Sequence, residues 1–360
     1  MLFNNKSELD KFKSDDELVC VKLNKNEFTF AGSVDYEKII DKFSDFELVS
    51  VENVTQKHWL EVTLKRLDYT YCEDISSELN LFSITHNDVK DYCKITKTNC
   101  ICLSECWMPF AWSVIRNREN SQLNHLTVIH IDDHSDLMSP LISYDGVWNK
   151  DILTQRQVRF SVPASIKAAV KSGAISIGSM LTPIINSVEK CTVLHLKQNV
   201  IEKEQFGLSF KTVQDTAFYK KTQRLDIRFL PINSSSKCRN LYVKASEILD
   251  LFKFIDKNSK ILLHIDMDYF NNRFNGSTSW NQVKQFLHNP DLVEQKKIIS
   301  MLCEKLGNFS KVKPFDYIFI GVSPSFYPAE FWNDGLHYLL ELLISNGINV
   351  TDLSEFIKNY

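Results

Sequence analysis

The sequence predicts an α/β protein of three layers, in which helices cover a mostly parallel sheet, with a small α+β appendage at the N-terminus. From about residue 97 onward, short apolar runs alternate with amphipathic stretches, a pattern typical of parallel strands joined by helical crossovers. The 360 residues suffice for one large domain or two. The 10 Gly and 9 Pro are fewer turn residues than all-β sandwiches use.

Seven runs are apolar nearly throughout, as strands buried on both faces must be. They are Cys100–Leu103, Leu126–Ile131, Ala174–Ile177, Cys191–Leu196, Leu225–Leu230, Ile261–Ile265 and Tyr317–Val322. Helical patterns lie between them, at Ala164–Lys171, Ala245–Ile255, Asp291–Leu306 and Tyr338–Ser345. Before the third helix, Asn289 is predicted as the N-cap and Pro290 as the first helical residue.

The first part of the chain has a different pattern. Short strands are predicted at Leu18–Leu23, Glu27–Phe30, Glu47–Val51 and Trp59–Leu64, with a helix near Tyr36–Phe43. We therefore expect residues 1–95 to form a separate appendage, of a size that small domains have, and residues 96–360 to form the main domain. Our hypothesis for the appendage is that it helps to recognise a substrate peptide.

The composition excludes several classes of protein. A chain that is 44% hydrophobic and 24% charged is not disordered, collagenous or a coiled coil. A net charge of −3 offers no basic surplus for nucleic acid, and no run of eighteen apolar residues predicts a membrane span. Met1–Lys6 lacks the pattern of a signal peptide, and nine scattered cysteines do not indicate a disulfide framework. We therefore expect a cytoplasmic protein with reduced thiols.

Two runs of ligand-type side chains follow predicted strands directly. The first contains Asp132, His134 and Asp136, and the second contains Asp266 and Asp268. Side chains two residues apart on an extended segment point the same way, so each set can converge on one point. In parallel sheets, ligands bind beyond the carboxyl ends of the strands. The alternative is a pair of solvated loops with acidic caps.

A metal centre explains these five side chains better, because clustered carboxylates repel each other and are costly to bury unpaired. Four carboxylates and one imidazole form an oxygen-rich set that suits Mn²⁺. Five groups, two of which can bridge, suit two ions per chain. Two such ions roughly 3.5–4 Å apart would hold a hydroxide, which is a nucleophile for a carbonyl-like or guanidinium carbon.

With these motifs the sequence resembles the arginase and deacetylase superfamily. Asp132-x-His134-x-Asp136 matches the D-x-H-x-D motif of ureohydrolases, and Asp266-x-Asp268 matches their later D-x-D motif. Over about residues 97–335, the chain is most similar to the arginase-like family that includes the peptide arginases of ribosomal-peptide maturation. That resemblance implies an arginase-like sheet, a cytoplasmic enzyme and an arginine-containing precursor peptide as its partner.

The resemblance also implies roles for the ligands. Asp132 and Asp266 would bridge two ions, His134 and Asp268 would complete one of them, and Asp136 would serve the other. Family members place a His on that second ion, after an earlier strand. Residues 103–107 of this chain contain no His there. Cys106 is the predicted replacement and Glu105 the next choice, and a thiolate would favour Zn²⁺ or Fe²⁺.

A guanidinium substrate needs a carboxylate to pair with and a donor for the proton of the leaving amine. Glu330 is the first candidate for the carboxylate, followed by Asp291 and Glu294. His288 is a candidate for the proton carrier, with metal-bound water or Asp136 as alternatives.

His130 and His264 precede the two motifs by two residues, so they are expected one level deeper on the same strand faces. We interpret them as groups that orient a carboxylate and do not bind the metal directly.

The sequence and this resemblance therefore predict a manganese-dependent hydrolase that converts arginine, which we expect to be peptidyl, to ornithine and urea. Asp136 and Asp268 favour this activity over the single-zinc scheme of deacetylases, which needs neither. Two other functions stay open: a single-zinc amidohydrolase or deacetylase of the same fold, and a binding protein with an incomplete site.

Overall fold

The protein is described by a computed structural model covering residues 18–43, 46–53, 57–66, 71–119, 123–220, 222–232, 238–276 and 288–357. The strands are β1 (Leu18–Asn24), β2 (Thr29–Phe30), β3 (Ser33–Val34), β4 (Phe46–Glu52), β5 (Trp59–Arg66), β6 (Cys93–Ile95), β7 (Asn99–Cys102), β8 (His125–Ile131), β9 (Ile142–Tyr144), β10 (Asn149–Asp151), β11 (Gln157–Val158), β12 (Lys190–Leu196), β13 (Glu204–Asp215), β14 (Thr222–Pro231), β15 (Asn240–Ala245), β16 (Lys260–Asp266) and β17 (Tyr317–Gly321).

The α-helices are α1 (Tyr36–Lys42), α2 (Met108–Glu119), α3 (Pro163–Ser172), α4 (Leu181–Asn186), α5 (Ile248–Phe252), α6 (Leu292–Ser310), α7 (Trp332–Ser345) and α8 (Thr351–Ser354). Short 3₁₀ turns occur at Lys25–Glu27, Glu78–Phe82, His86–Asp91, Glu105–Trp107, Ile177–Ser179, Met267–Tyr269 and Ala329–Phe331. Among the helices of the described residues, none is both long enough and apolar enough to cross a bilayer.

One twelve-stranded sheet dominates the fold, in the order β11-β10-β9-β14-β13-β15-β12-β8-β16-β17-β7-β6. Its central strands, from β15 to β7, are parallel to their neighbours. The strands at its two ends pair antiparallel. The predicted α/β class is confirmed, and the sheet is mixed at its ends.

Alternate residues of the central strands enter two different apolar clusters. On β8, for example, Leu126 and Val128 belong to one cluster, while Ile129 and Ile131 belong to the other. Helices α2, α3 and α4 contribute to the first cluster, whereas α6 and α7 contribute to the second. Both faces of the parallel strands are therefore buried, which explains why these segments are apolar nearly throughout.

Three predictions about individual elements are wrong. Residues Ala174–Ile177 form no strand: the left-handed Gly173 ends α3, and Ala174 and Ile175 are buried beside that helix. A short apolar run by itself cannot distinguish these two outcomes. The stretch Ala245–Ile255 is helical only in α5, because Ala245 still belongs to β15.

The third correction concerns the start of α6. Asp291 is its N-cap and accepts a hydrogen bond from the backbone N of Glu294 at 2.8 Å. The predicted cap Asn289 lies before the helix, and its side-chain oxygen instead accepts a hydrogen bond from Asn271 at 3.0 Å.

The N-terminal part of the described chain has its own antiparallel sheet, in the order β1-β5-β4. It contacts the rest of the protein through backbone hydrogen bonds from Asn24 to Ala217 and from Tyr219 to Lys22. Its apolar residues, including Leu23 and Phe43, join the same apolar cluster as α2. Strand β6 belongs to the large sheet. The division of the chain at residue 95 stays a prediction.

Candidate metal centre

Three neighbouring parallel strands carry histidine at the same level of the sheet. The register pairs His130 of β8 with His195 of β12 on one side and with His264 of β16 on the other. Asp132 follows β8 directly, and Asp266 is the last residue of β16. Because side chains two residues apart share a strand face, both aspartates lie one level above this histidine row. The fold thus brings the two acidic runs to one edge of the sheet.

Five carboxyl groups meet at this edge, and none of these residues is more than 4% exposed: Glu105, Asp132, Asp136, Asp266 and Asp268. Burial, followed by the charges of the neighbouring carboxylates, raises the pKa values of Glu105, Asp132 and Asp266 well above their ordinary range. Without a counter-charge, Glu105, Asp132 and Asp266 therefore favour their protonated forms.

The described residues contain three overlapping sets of potential metal ligands, and within each set the ligand atoms lie within 4.8 Å of one another. The sets are Asp132, His134 and Asp268; Glu105, Asp132 and Asp136; and His130, Asp132 and His264. Asp132 is common to all three. The buried atoms Glu105 Oε2 and Asp132 Oδ2 form no hydrogen bond. Since unpaired buried carboxylate oxygens are costly, these residues could hold a metal ion.

The side chain of His134 forms a hydrogen bond with the carboxylate of Asp268. Its Nδ1 lies 2.8 Å from Asp268 Oδ2, and its Nε2 lies 3.2 Å from the side-chain oxygen of Asn275. Burial lowers the pKa of His134, but the charge and the hydrogen bond of Asp268 outweigh it and raise the pKa to about 10. A positive charge is therefore stabilised where the sequence predicts a ligand.

Asp266 lies in the same carboxylate cluster but has hydrogen-bond donors of its own. The hydroxyl of Ser323 donates to Asp266 Oδ2 at 2.7 Å, and the backbone N of Asp268 donates to Oδ1 at 3.3 Å. Asp266 does not belong to the ligand sets found among the described residues. Its bridging role stays a prediction.

The structure places Glu105, and not Cys106, among the carboxylates. Both residues lie in the 3₁₀ turn Glu105–Trp107, so their side chains leave the backbone in different directions. Cys106 joins the apolar cluster of α2, and its Sγ lies 3.1 Å from the hydroxyl of Ser104. The geometry therefore favours Glu105, the second choice from the sequence, over Cys106, because Glu105 and not Cys106 belongs to the candidate set with Asp132 and Asp136. The ligand role of either residue stays a prediction.

The histidine row is fully buried beneath the carboxylates. His130 Nδ1 lies 2.7 Å from His264 Nδ1, and these two rings stack with their centroids 4.9 Å apart. Both ring nitrogens of His195 have hydrogen-bond partners. Nδ1 lies 2.6 Å from the Tyr242 hydroxyl, and Nε2 lies 3.0 Å from the carbonyl oxygen of Asp132. Burial lowers the pKa of His130 well below its ordinary value and the pKa values of His195 and His264 to about 3.

A pocket of about 400 Å³ opens onto the cluster. Its wall combines acidic, basic and apolar side chains, and its lining residues are Glu105, Asp133, His134, Ser135, Asp136, Met138, Ile177, Gly178, His195, Lys197, Tyr242, Lys244 and Phe326. Asp133 accepts a hydrogen bond from Asn272 at 2.8 Å and faces Lys197 Nζ at 3.3 Å. Burial raises the pKa of Asp133, but these two partners outweigh it and the net shift is downward.

Glu330 lies outside this pocket lining. Its carboxylate is about half exposed and forms an ion pair with Arg273 at 2.6 Å. The next candidates for the guanidinium carboxylate lie at the start of α6: Asp291 is its N-cap, and Glu294 is in its first turn. The structure therefore does not bring the predicted guanidinium carboxylates to the candidate metal-binding cluster.

His288 also lies outside the pocket lining. Its backbone carbonyl accepts a hydrogen bond from Asn272 N at 2.7 Å, and its buried Nε2 forms no hydrogen bond. Burial lowers the pKa of His288, opposed by the nearby charges of Asp133 and Asp268. Its role as the proton carrier stays a prediction.

Sequence reasoning missed Asp133, His195 and the two pocket lysines. For His195 a signal was present: Leu194-His195-Leu196, Ile129-His130-Ile131 and Leu263-His264-Ile265 share one pattern at the ends of three strands. For Lys197 and Lys244 the sequence offers no comparable signal, because their position at the pocket depends on how β12 and β15 pair.

Comparison of the sequence with protein-family models finds no matching family, and comparison with curated proteins finds no matching protein.

Proposed function

We propose that the protein is a metal-dependent hydrolase that removes urea from an arginine side chain and leaves ornithine. The observation that carries this proposal is that two ligand sets with at least two carboxylates each share Asp132. One set adds His134 and Asp268, and the other adds Glu105 and Asp136. Two ligand sets with a common carboxylate suit two ions better than one.

The donor atoms fit Mn²⁺, and two ions per chain are part of the proposal. Carboxylate oxygens predominate among the ligands, and no thiolate takes part in the ligand sets of the described residues. Hard oxygen donors favour Mn²⁺ over the thiolate-seeking metals, although Zn²⁺ and Fe²⁺ also accept such sites. When bound, these cations would lower the pKa of a water molecule and so supply a nucleophile near neutral pH.

The pocket residues would position the substrate. The apolar side chains of Met138, Ile177 and Phe326 line the pocket and can contact the aliphatic part of an arginine side chain. Asp133 is ionised at the same wall, and a carboxylate has about four lone-pair positions. It can therefore accept a guanidinium N–H while Lys197 and Asn272 hold it in place.

In the reaction, a bond forms between a water oxygen and the guanidinium carbon, and the bond from that carbon to the substrate Nε breaks. The carbon keeps the water oxygen, and both water protons end on the departing amine, so cationic arginine and water give urea and ornithine with a protonated side-chain amine. We assign this proton transfer to Asp136, which lines the pocket and belongs to the cluster. His288 is the second candidate.

A three-layer, arginase-like architecture and a peptide substrate are further parts of this proposal, and both rest on the family resemblance. The proposed partner is an arginine-containing precursor peptide, and the N-terminal sheet is the proposed site of its recognition.

The test combines metal analysis with assays of urea release. The full chain is purified, its metals are counted, and urea is measured with arginine-containing peptides and with free arginine in the presence of Mn²⁺. About two ions per chain and urea release from a peptide would support the proposal. One zinc ion with amide hydrolysis would replace it with the amidohydrolase function. Weak metal uptake without turnover of any guanidino compound would indicate a binding protein.

A further inference from the structure

The row of buried histidines beneath the carboxylates has a defined proton arrangement. His130 Nε2 lies 3.0 Å from the carbonyl oxygen of His134, and a carbonyl oxygen only accepts. His130 Nε2 therefore carries the hydrogen. In the neutral ring that burial enforces, Nδ1 of His130 is then an acceptor.

This arrangement fixes the next ring as well. His130 Nδ1 and His264 Nδ1 lie 2.7 Å apart, so one of them must carry a hydrogen and donate it to the other. Because His130 Nδ1 carries none, the hydrogen is on His264. His264 Nδ1 is therefore the donor, and its Nε2 bears a lone pair. That Nε2 is buried and has no hydrogen-bond partner.

The lone pair of His264 lies next to a carboxylate. His264 Nε2 is 3.4 Å from Glu105 Oε2, which is likewise buried without a hydrogen-bond partner. The lone pairs of an unprotonated ring nitrogen and a carboxylate oxygen repel each other at this distance unless a positive charge lies between them. A metal cation there would satisfy both atoms and would allow Glu105 to ionise.

The 3.4 Å distance between His264 Nε2 and Glu105 Oε2 is compatible with two ligand atoms that bind the same ion. Two bonds of about 2.1 Å that meet at an angle of roughly 90° to 110° place their ligand atoms about 3.0–3.4 Å apart. The adjacent Glu105 also belongs to the set with Asp132 and Asp136.

We propose that His264 binds the metal directly through Nε2, as the nitrogen ligand of the ion held by Glu105, Asp132 and Asp136. His130 then serves as a positioning residue that keeps the lone pair of His264 turned toward the ion. This assignment replaces the sequence-based interpretation of His264 as a group that only orients a carboxylate. It rests on the metal centre of the proposed function, but not on the identity of the substrate.

His195 provides a matched control within the same row. It lies at the same level of the sheet and is equally buried, but both of its ring nitrogens already have partners. Its Nε2 donates to the carbonyl oxygen of Asp132, so its Nδ1 accepts from the Tyr242 hydroxyl. His195 therefore has no lone pair to offer to an ion.

The test is an NMR titration of the full chain, labelled with ¹⁵N in its histidine rings, with Zn²⁺ as a diamagnetic probe. Saturating Zn²⁺ is expected to shift one ring nitrogen of His134 and Nε2 of His264 to the range of metal-bound nitrogen. The signals of His195 are expected to stay in place. The variants H264Q and H195Q assign the signals, and H264Q is expected to weaken Zn²⁺ binding at one of two sites by at least about 10-fold.

The number of shifted nitrogens in the wild-type chain decides the question even if a variant does not fold. Two shifted ring nitrogens, one of them absent from the spectrum of H264Q where that variant folds, support the assignment. A shift of His134 alone overturns it and leaves the proposed metal centre intact. If Zn²⁺ does not bind and no histidine shifts, both the assignment and the metal centre are wrong. Urea release is not part of the measurement, so the substrate proposal is tested separately.

Discussion

His134 and Asp268 lie 2.8 Å apart, from Nδ1 to Oδ2, although 134 residues separate them in the sequence. The contact joins the loop after β8 to the 3₁₀ turn after β16. It exists because these two strands are adjacent and parallel, so that their carboxyl ends meet at one edge of the sheet. This contact defines one of the two proposed ion positions.

Replacing Asp268 is expected to empty that position. D268N removes a charge and an oxygen ligand from the set with Asp132 and His134. We expect about one metal ion fewer per chain and a decrease in urea release of at least about 100-fold, more than the loss of an outer hydrogen-bonding group causes. Elemental analysis and the urea assay measure these effects. The control D250N changes an exposed aspartate that pairs with Lys253, and a D268N protein with the metal content of D250N would contradict the prediction.

The neighbours Glu105 and Cys106 allow a direct comparison. E105Q is expected to lower the metal content by about one ion per chain, because it removes a carboxylate from the second ligand set. C106S is expected to keep the metal content, because the Cys106 side chain lies in the apolar cluster. The measurement is elemental analysis of both variants after dialysis against Mn²⁺. If C106S loses metal and E105Q does not, the thiol of Cys106 is the ligand and the carboxylate of Glu105 is not.

Ser323 is expected to support metal binding through Asp266. Its hydroxyl donates to Asp266 Oδ2, so S323A leaves that buried oxygen without a donor. Loss of such an outer hydrogen bond weakens metal affinity by about 10- to 100-fold. A Mn²⁺ titration of the metal-free protein measures the affinity. S300A, which removes a hydroxyl that contacts Tyr338 in the helical layer, is expected to bind Mn²⁺ like the wild type, and equal affinity in both variants would argue against this role.

The metal-free protein is expected to lose stability as the pH rises from about 7 to 9. Burial and mutual repulsion raise the folded-state pKa values of Glu105, Asp132 and Asp266. The folded chain therefore retains protons that the unfolded chain releases above its ordinary carboxyl pKa of about 4. The raised pKa of His134, about 10, acts in the same direction, since its stabilising charge is present below pH 6.5 and disappears as the pH passes 10.

Thermal unfolding with and without a chelator measures this dependence. Each group contributes a slope of up to about 1.4 kcal/mol per pH unit while it is protonated only in the folded state. Metal binding requires the deprotonated ligands, so the increase in Tm on adding Mn²⁺ should be larger at pH 9 than at pH 7. A chelated protein whose Tm rises over this range would contradict the pKa directions.

The sequence by itself determined the α/β class, most central strands and the two acidic motifs. These follow from local rules: an apolar run marks a strand buried on both faces, and residues two apart share one side of it. Asp132 and Asp266 could be placed at strand ends because each follows such a run directly. Similar local patterns misassigned Ala174–Ile177, since a short apolar run packs equally well as a loop beside a helix.

Only the tertiary structure decided which side chains meet across the strands. The choice between Glu105 and Cys106 depends on the direction in which a short turn presents two adjacent residues. The contacts of His264 with His130 and Glu105 depend on three segments far apart in the chain. The order of strands β8, β16, β17 and β7 is set by the packing of the whole sheet, and no local pattern encodes that order.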